Sequence, residues 1–391
     1  LYHKQHLDIA KWILSGYDGK EPFHLYLKKY FSRNKKHGSK DRKTITSLCY
    51  SYFRLGKAFI DVPVEERILT GLFLTNDQPN KLLEQLKPGW NAIINEPLRT
   101  KLSIIEQNLL LNEIFPFKDE LSNGIERQKM SESILTQPKA YVRIRPGYKE
   151  KVIDKINASG ISYELMDNDC IAFDSGTKIE SFVDLGKEAI VQDYNSQKTG
   201  ELLYKPLKTW RSNLNNNHSN IWDCCAGSGG KSIMAYDIDP SINLTVSDKR
   251  DSILANLGER FKNAGIKKYN SFVADLFKEV NVKAGPFDVI IADVPCTGSG
   301  TWSRTPEQLY YFDKKKIEEY SKTQKKIVSE VIPHIRKGGS LLYITCSVFK
   351  KENEDVVDYI ENAFKLQLVE MGLLKGYEMR ADTLFAALFV K

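Results

Sequence analysis

The stretch IWDCCAGSGGKS, residues 221–232, decides how the carboxyl-terminal half of this chain folds. It opens as an apolar β-type run, passes through a glycine-rich turn and enters a helical pattern. Gly227, Gly229 and Gly230 let the backbone approach a ligand closely, and the helix amino end beyond them offers free N–H groups. Strand, tight glycine turn and helix form the opening unit of an open parallel sheet, which keeps its chemistry at the carboxyl ends of its strands.

Downstream the same rhythm repeats. NIWDCC, INLTVSD, NSFVAD, FDVIIADV and SLLYITCSV are apolar runs of strand length. Helical patterns separate them: GGKSIMAYDI, RDSILANLGERFKNAG, KKKIEEYSKTQKKIVSEVIPHI and ENEDVVDYIENAF. The alternation predicts an α/β fold with a mostly parallel, doubly wound sheet over residues 201–391.

Upstream the period changes twice. Residues 1–130 place apolar residues at three-to-four spacing, in HLDIAKWILSGY, PFHLYLKKYF and DRKTITSLCYSYFRLGKAFI, and predict a helical domain. Ser39 is the expected N-cap of the third helix, with Gly38 breaking the chain before it. Prolines and a glycine weaken the pattern between about 76 and 100. Beyond Pro138, KAYVRIRP alternates as a strand, VIDKINASG reads as a helix, and ISYELMD and CIAFD return to strand. This predicts a small α+β module over 138–200, and LNNNHSN (214–220) reads as a short polar linker.

The chain has 391 residues and a net charge of +7, unevenly placed. Residues 1–60 hold thirteen Lys/Arg against four Asp/Glu, a net +9, so the remaining chain sums to −2. Tyr26, Tyr30, Phe31, Tyr50, Tyr52 and Phe53 are interleaved with these cations, a pattern that fits nucleic acid through phosphate contact and base stacking. A helical domain with a solvated lysine face would look the same. No apolar run is long enough to span a bilayer, and six cysteines without framework spacing point to a reducing cytoplasm. A monomer is expected.

The ligand of the glycine turn follows from what surrounds it. A phosphate-binding P-loop would need its first glycine where Cys225 stands, and a dinucleotide fingerprint would need a glycine where Ser232 stands. Both fail by one position. Acids close four successive strands, Asp223, Asp248, Asp275 and Asp293, and would repel the phosphates of ATP or NADP. They suit S-adenosylmethionine, a sulfonium without phosphates: Asp248 is placed for the ribose hydroxyls and Asp275 for the adenine amine. Cys225, Ala226, Gly227, Gly229, Gly230, Lys231, Asp248, Arg250, Asp275 and Asp293 form the candidate cofactor set. Aspartate is also a common helix cap, and some of these acids could do only that.

Two thiols stand at strand ends fifty residues apart, Cys296 in DVIIADVPCTGSGT and Cys346 in GGSLLYITCSV. Neither belongs to a CxxC pair, so neither reads as a zinc ligand or redox dithiol. A cytosine or uracil ring is a poor nucleophile at carbon 5 until a thiolate adds at carbon 6. Collapse of that adduct needs a base for the carbon-5 proton, and an acid group near ring nitrogen 3 would stabilise its charge. Asp293 and Cys296 on one strand end, with Cys346 on the next, form the candidate catalytic set that the residues themselves offer, Pro295 shaping the loop between them.

These residues resemble the RsmB/NSUN (Sun/Fmu/Nop2-like) family of S-adenosylmethionine-dependent RNA cytosine-C5 methyltransferases. The resemblance runs over about 138–391, through VQDYNSQ (191–197), DCCAGSGGKS, DVPCTGSGT, KGGSLLYITCSV and ENE (352–354). It implies a Rossmann-like class I methyltransferase domain. It also implies that Cys346 is the nucleophile, that Cys296 assists product release, that Asp293 contacts the ring and cofactor region and that Lys231 joins the catalytic set by lining the site from the glycine turn. DNA cytosine methyltransferases attack with the cysteine of a Pro-Cys motif, which would swap the two roles; Ser347 and the ENE acids favour the RNA pattern. Two positions depart from the family: Gly227-Ser228 and Ser232 replace parts of CAAPGGKT, and Thr383-Leu384 replaces a glycine-phenylalanine, so the last strand is expected to pack differently. The helical end resembles the NusB-like domain of some relatives through HGSKDRKTITSLCYSYFR, and the 138–200 module the family's RNA-contacting insert. Ribosomal RNA is the expected substrate. Transfer RNA, or a non-catalytic RNA-binding assembly factor, are the alternatives.

Overall fold

The three-to-four spacing at the amino-terminal end produces helices at Tyr2–Ser15, Phe23–Arg33, Ser39–Arg54 and Val64–Thr75, with shorter ones after them. The structure, a computed structural model, describes residues 2–105, 110–167, 169–209, 218–278 and 285–391; residues 214–217 of the expected linker lie outside them. The chain divides into two units, one of residues 1–119, 125–137 and 301–314, the other of residues 120–124, 138–300 and 315–391.

In the helical unit two expectations are corrected. The N-cap of Ser39–Arg54 is Gly38, not Ser39, and the Asp41 carboxylate reaches back to accept the Gly38 N–H at 3.0 Å. The same helix ends at Arg54 rather than running to Ile60, because Gly56 takes a left-handed φ of +54°. The carbonyls freed there are satisfied by Arg67, fully buried, whose guanidinium donates to Tyr52 O (3.2 Å), Gly56 O (2.7 Å) and Ala58 O and lies 4.6 Å over the Tyr52 ring. Half of the aromatics of the basic end are core: Phe31, Tyr52 and Phe53 are buried. Ring centroids lie 4.8 Å apart for Tyr17–Phe23 and 5.6 Å for Phe53–Tyr310, the latter on the helix Pro306–Tyr311. Phe31, Tyr52 and Phe53 are therefore closed to stacking on bases, whereas Tyr26, Tyr30 and Tyr50 are half-buried. Arg33, Lys35, Lys36, Lys40 and Lys43 are exposed.

The second unit holds two sheets. Strands β1 (Ala140–Ile144), β2 (Glu164–Asp167), β3 (Cys170–Phe173) and β4 (Ala189–Val191) form an antiparallel sheet in the order β2-β3-β1-β4. The helix Lys149–Ser159 contributes Val152 and Ile156 to a core with Val142, Ile144, Ile171 and Phe173. Arg143 and Arg145 alternate onto one face and converge on buried Asp237, each at 2.7 Å, which ties this sheet to the helix Gly230–Ile238.

The larger sheet has seven strands: β5 (Asn220–Asp223), β6 (Asn243–Asp248), β7 (Asn270–Val273), β8 (Phe287–Asp293), β9 (Ile335–Thr345), β10 (Gln367–Leu374) and β11 (Leu384–Val390). Their order is β10-β11-β9-β8-β5-β6-β7, parallel from β9 to β7, with β11 antiparallel to β9 and β10 to β11. Alternate side chains serve opposite faces. Ile221, Val246, Ile291 and Ile344 pack with Ile233, Leu257 and Phe261 of the helices Gly230–Ile238 and Asp251–Asn263. Trp222, Ile290 and Tyr343 pack with Val328, Val331, Val357 and Ile360 of the helices Lys315–Val331 and Glu354–Phe364. Both faces are covered, which is why the parallel strands read as unbroken apolar runs. The arrangement is Rossmann-like, and β5 stands where the strand order reverses.

Candidate active site

The glycine turn is held in shape by the strand beside it. Ala226 N–H donates to Ser247 O at 2.9 Å and Gly227 N–H to the Asp248 carboxylate at 3.1 Å. Gly229 has φ +83°, and a Cβ there would sit 2.7 Å from the Phe261 ring, so only glycine lets the helix Asp251–Asn263 lie this close to the turn. Gly227 and Gly230 instead face open space, the side from which a ligand approaches. Asp248 is buried, and its second oxygen accepts the Arg250 N–H (3.0 Å) and Nε (3.1 Å). Ala274 N–H bonds Asp248 O at 3.1 Å and so brings Asp275 to the same sheet edge, where its carboxylate accepts the Phe277 N–H at 3.3 Å.

Lys231 does not offer its charge to a phosphate. Its ammonium lies 3.0 Å from Asp293 and donates to Ser196 Oγ at 2.7 Å. With the cation neutralised and Asp248 and Asp275 at the strand ends, the cleft fits an uncharged ribose and an adenine amine better than a triphosphate. The fourth strand-end acid departs from expectation. Asp223 is completely buried and accepts Ser232 Oγ at 2.6 Å, and burial lifts its carboxyl to about 7. It serves the scaffold beneath the turn, because β5 lies inside the sheet between β8 and β6 and its loop folds over its own end.

The two thiols meet. Cys296 Sγ and Cys346 Sγ are 3.2 Å apart, both free and half-buried. Register brings them together: Asp293 pairs with Ile344, and Val294 N–H still donates to Ile344 O beyond the strand. Gly300 N–H then donates to Cys346 O at 2.8 Å, and Thr383 N–H to Gly300 O at 3.0 Å. A side chain at Gly300 would overlap the Thr383 carbonyl, so this crossing demands glycine. The neighbouring Cys346 thiol, burial and the Glu352 carboxylate together hold Cys296 well above the usual cysteine range.

Several residues outside the expected catalytic and cofactor sets build this corner. Glu352, fully buried, accepts from Thr297 and Ser347, the residues that directly follow the two cysteines. Gln324 donates to Pro295 O at 3.0 Å and to Glu352 at 2.9 Å. Its sequence signal is periodic: Ile317, Ser321, Gln324, Val328 and Val331 share one helix face, so a polar residue stands on a buried stripe. In VQDYNSQ, Asp193 caps the helix Tyr194–Tyr204, Asn195 donates to Leu374 O (2.9 Å) and Asp382 O (2.7 Å), and Ser196 meets Lys231.

Residues 212–383 match the family described as 16S rRNA methyltransferase RsmB/F. Among curated proteins, the ribosomal RNA small subunit methyltransferases B of Shigella sonnei (strain Ss046) and Escherichia coli O139:H28 are each 27% identical over 165 residues. The match covers 42% of this chain and 38% of either relative, so it spans about two-fifths of their length. Three solved structures share the fold. The crystal structure of PH0851 superposes with a TM-score of 0.69 at 18% identity, over 95% of each chain. A methyltransferase homolog protein from Pyrococcus horikoshii gives 0.58 at 18%, over 75% of this chain and 98% of its own. NSun6 from Pyrococcus horikoshii, solved with SFG, gives 0.57 at 16%, over 68% and 94%.

Proposed function

We propose that this chain, whose residues 212–383 match the 16S rRNA methyltransferase RsmB/F family, methylates carbon 5 of a cytosine in RNA through a covalent cysteine adduct, with ribosomal RNA as substrate. The observation that carries the reading is the pair of free thiols 3.2 Å apart at the ends of neighbouring parallel strands. The names of the curated relatives support ribosomal RNA over transfer RNA.

The cofactor is S-adenosylmethionine, which when bound supplies an electrophilic methyl group on a sulfonium. Asp248 and Asp275 would hold its ribose and adenine ends, and the glycine turn would lie against it. The chain's own residues account for the rest. Cys346 adds to carbon 6 of the flipped-out base, which opens the 5,6 double bond and makes carbon 5 nucleophilic. Asp293, braced by Lys231 at 3.0 Å, stands between the glycine turn and the thiols, where a ring edge must be oriented. Once carbon 5 carries the methyl group, its proton passes to solvent water acting as base, and the carbon–sulfur bond breaks with its electron pair going to the Cys346 sulfur. Cys296 serves this release step, since its proton stays on sulfur near neutral pH and lies in contact with the departing sulfur.

The exposed cations of residues 33–43 and the β1–β4 module are proposed RNA contacts, with the chain acting as a cytoplasmic monomer. Among the described residues no helix is long and apolar enough to cross a membrane. A non-catalytic assembly factor would have no use for the paired thiols. The test is transfer of tritiated methyl groups to bulk RNA, followed by bisulfite mapping of cytosines in a deletion strain. Label in ribosomal RNA that maps to one cytosine supports the reading, and an absence of transfer refutes it.

A further inference from the structure

Glu352 is completely buried, yet it is an ionisable group, and four donors are aimed at its carboxylate. One oxygen accepts the hydroxyls of Thr297 and Ser347, each at 2.6 Å. The other accepts the Thr297 backbone N–H and the Gln324 amide, each at 2.9 Å. Burial still raises its carboxyl above the ordinary range. Burying a carboxylate is costly, and a chain keeps one in such a place when the directional bonds it collects matter.

Those bonds run to two different loops at equivalent points. Thr297 follows Cys296 and Ser347 follows Cys346, so a single carboxylate oxygen is anchored one residue beyond each thiol. Gln324 completes the brace by holding Pro295 O, the residue before Cys296, at 3.0 Å. Its amide must present the NH₂ group here, because both neighbours are acceptors. The base of the brace is also fixed. Tyr343 donates to Glu352 O at 2.6 Å, while Asn353 accepts from Thr345 Oγ1 at 2.6 Å and donates to Ser347 O at 2.9 Å.

We infer that Glu352 is a positioning residue that sets the separation of Cys296 and Cys346 by clamping the residues that follow them. For the reaction this rests on the function proposed above; for the geometry it does not. The clamp acts on backbone placement, so it needs two acceptor–donor faces of the right shape. Glutamine meets that requirement, with its oxygen toward the two N–H donors and its NH₂ toward the hydroxyls, which can reverse and accept. Alanine does not.

Phenylarsine oxide tests this without RNA or cofactor. It condenses with two adjacent thiols, forming two arsenic–sulfur bonds and releasing one water, with no change of oxidation state at sulfur. The full chain is loaded with the arsenical and stripped with increasing 2-mercaptoethanol, and Cys296→Ser supplies the blank for any binding at Cys224 and Cys225. Glu352→Ala should lower retention at least tenfold, while Glu352→Gln stays within about threefold of wild type. Thr297→Val and Ser347→Ala, which each remove one hydroxyl, should fall between, and Thr297→Ser should restore retention. If Glu352→Ala does not fold, the two single-hydroxyl variants decide. In methyl transfer the same variants should lose kcat, by up to about 10²-fold for a thiol displaced by an ångström, with KM for RNA unchanged. Wild-type retention in Glu352→Ala, or in both hydroxyl variants, overturns the inference. Lost retention without any methyl transfer in wild type would instead overturn the proposed reaction and leave the clamp standing.

Discussion

The two sides of the strand-end cleft are built by opposite means. On the glycine-turn side, backbone N–H groups and the Asp248 carboxylate line open space, and Asp248 is partnered by Arg250, whose side chain is more than half exposed. On the thiol side, Thr297, Ser347, Gln324 and Glu352 are buried and bonded to one another, so little can be exchanged without breaking a network. The first side suits a cofactor that comes and goes in every cycle. The second suits two sulfurs that must keep one geometry through addition and release. Lys231, bonded to Asp293 and Ser196, joins them.

If that division is right, damage should stay on its own side. Asp248→Ala should weaken S-adenosylmethionine binding by about 10²-fold, the loss of one or two hydrogen bonds to a charged group, as measured by calorimetry. Arsenical capture by the thiol pair should be unchanged, and a parallel loss would dissolve the distinction. The next effect is smaller and lies under the turn. Asp223 has a carboxyl raised to about 7 by burial, with the nearby Asp293 charge adding, whereas the unfolded chain ionises near 3.8. Between those values the unfolded state has released a proton that the folded state keeps, so stability is full below about 4 and falls as pH rises to about 7, then levels off. Asp223→Asn should remove a few kcal/mol of this pH dependence while keeping the Ser232 bond, as read from denaturant midpoints at pH 4, 5.5 and 7. Equal slopes in both proteins would place the charge elsewhere. The smallest effect belongs to Arg250→Ala: an exposed partner is easily replaced by water, so cofactor affinity should stay within about threefold. A loss approaching that of Asp248→Ala would mean that Arg250 itself holds the cofactor.

Much of this was legible in the residues, for a physical reason. Parallel strands covered on both faces must be apolar throughout, so β5, β6, β8 and β9 announce themselves. β10, an edge strand with exposed Val369 and Met371, carries no such signal. The third helix reads too long because Gly56 is one glycine in an otherwise helical pattern, and its left-handed turn depends on Arg67, eleven residues away. Residues 301–314 lie directly after the Cys296 loop, yet they belong to the helical unit, where Tyr310 bonds Tyr52 at 2.8 Å. No local pattern carries a pairing across 258 residues. At the site, residue types and strand ends were readable, but burial was not: Asp223 and Asp248 look alike in sequence, and only the sheet order separates the scaffold acid from the one that faces the cleft.

The central claim is that Cys346 attacks and Cys296 releases. The direct measurement is denaturing electrophoresis of Cys296→Ser and Cys346→Ser proteins after incubation with labelled RNA and S-adenosylmethionine. The assignment predicts a covalent RNA–protein band that accumulates in Cys296→Ser, where attack proceeds but release is impaired, and no band in Cys346→Ser. A band in Cys346→Ser and none in Cys296→Ser would contradict it and give the nucleophile's role to the thiol of the Pro-Cys motif.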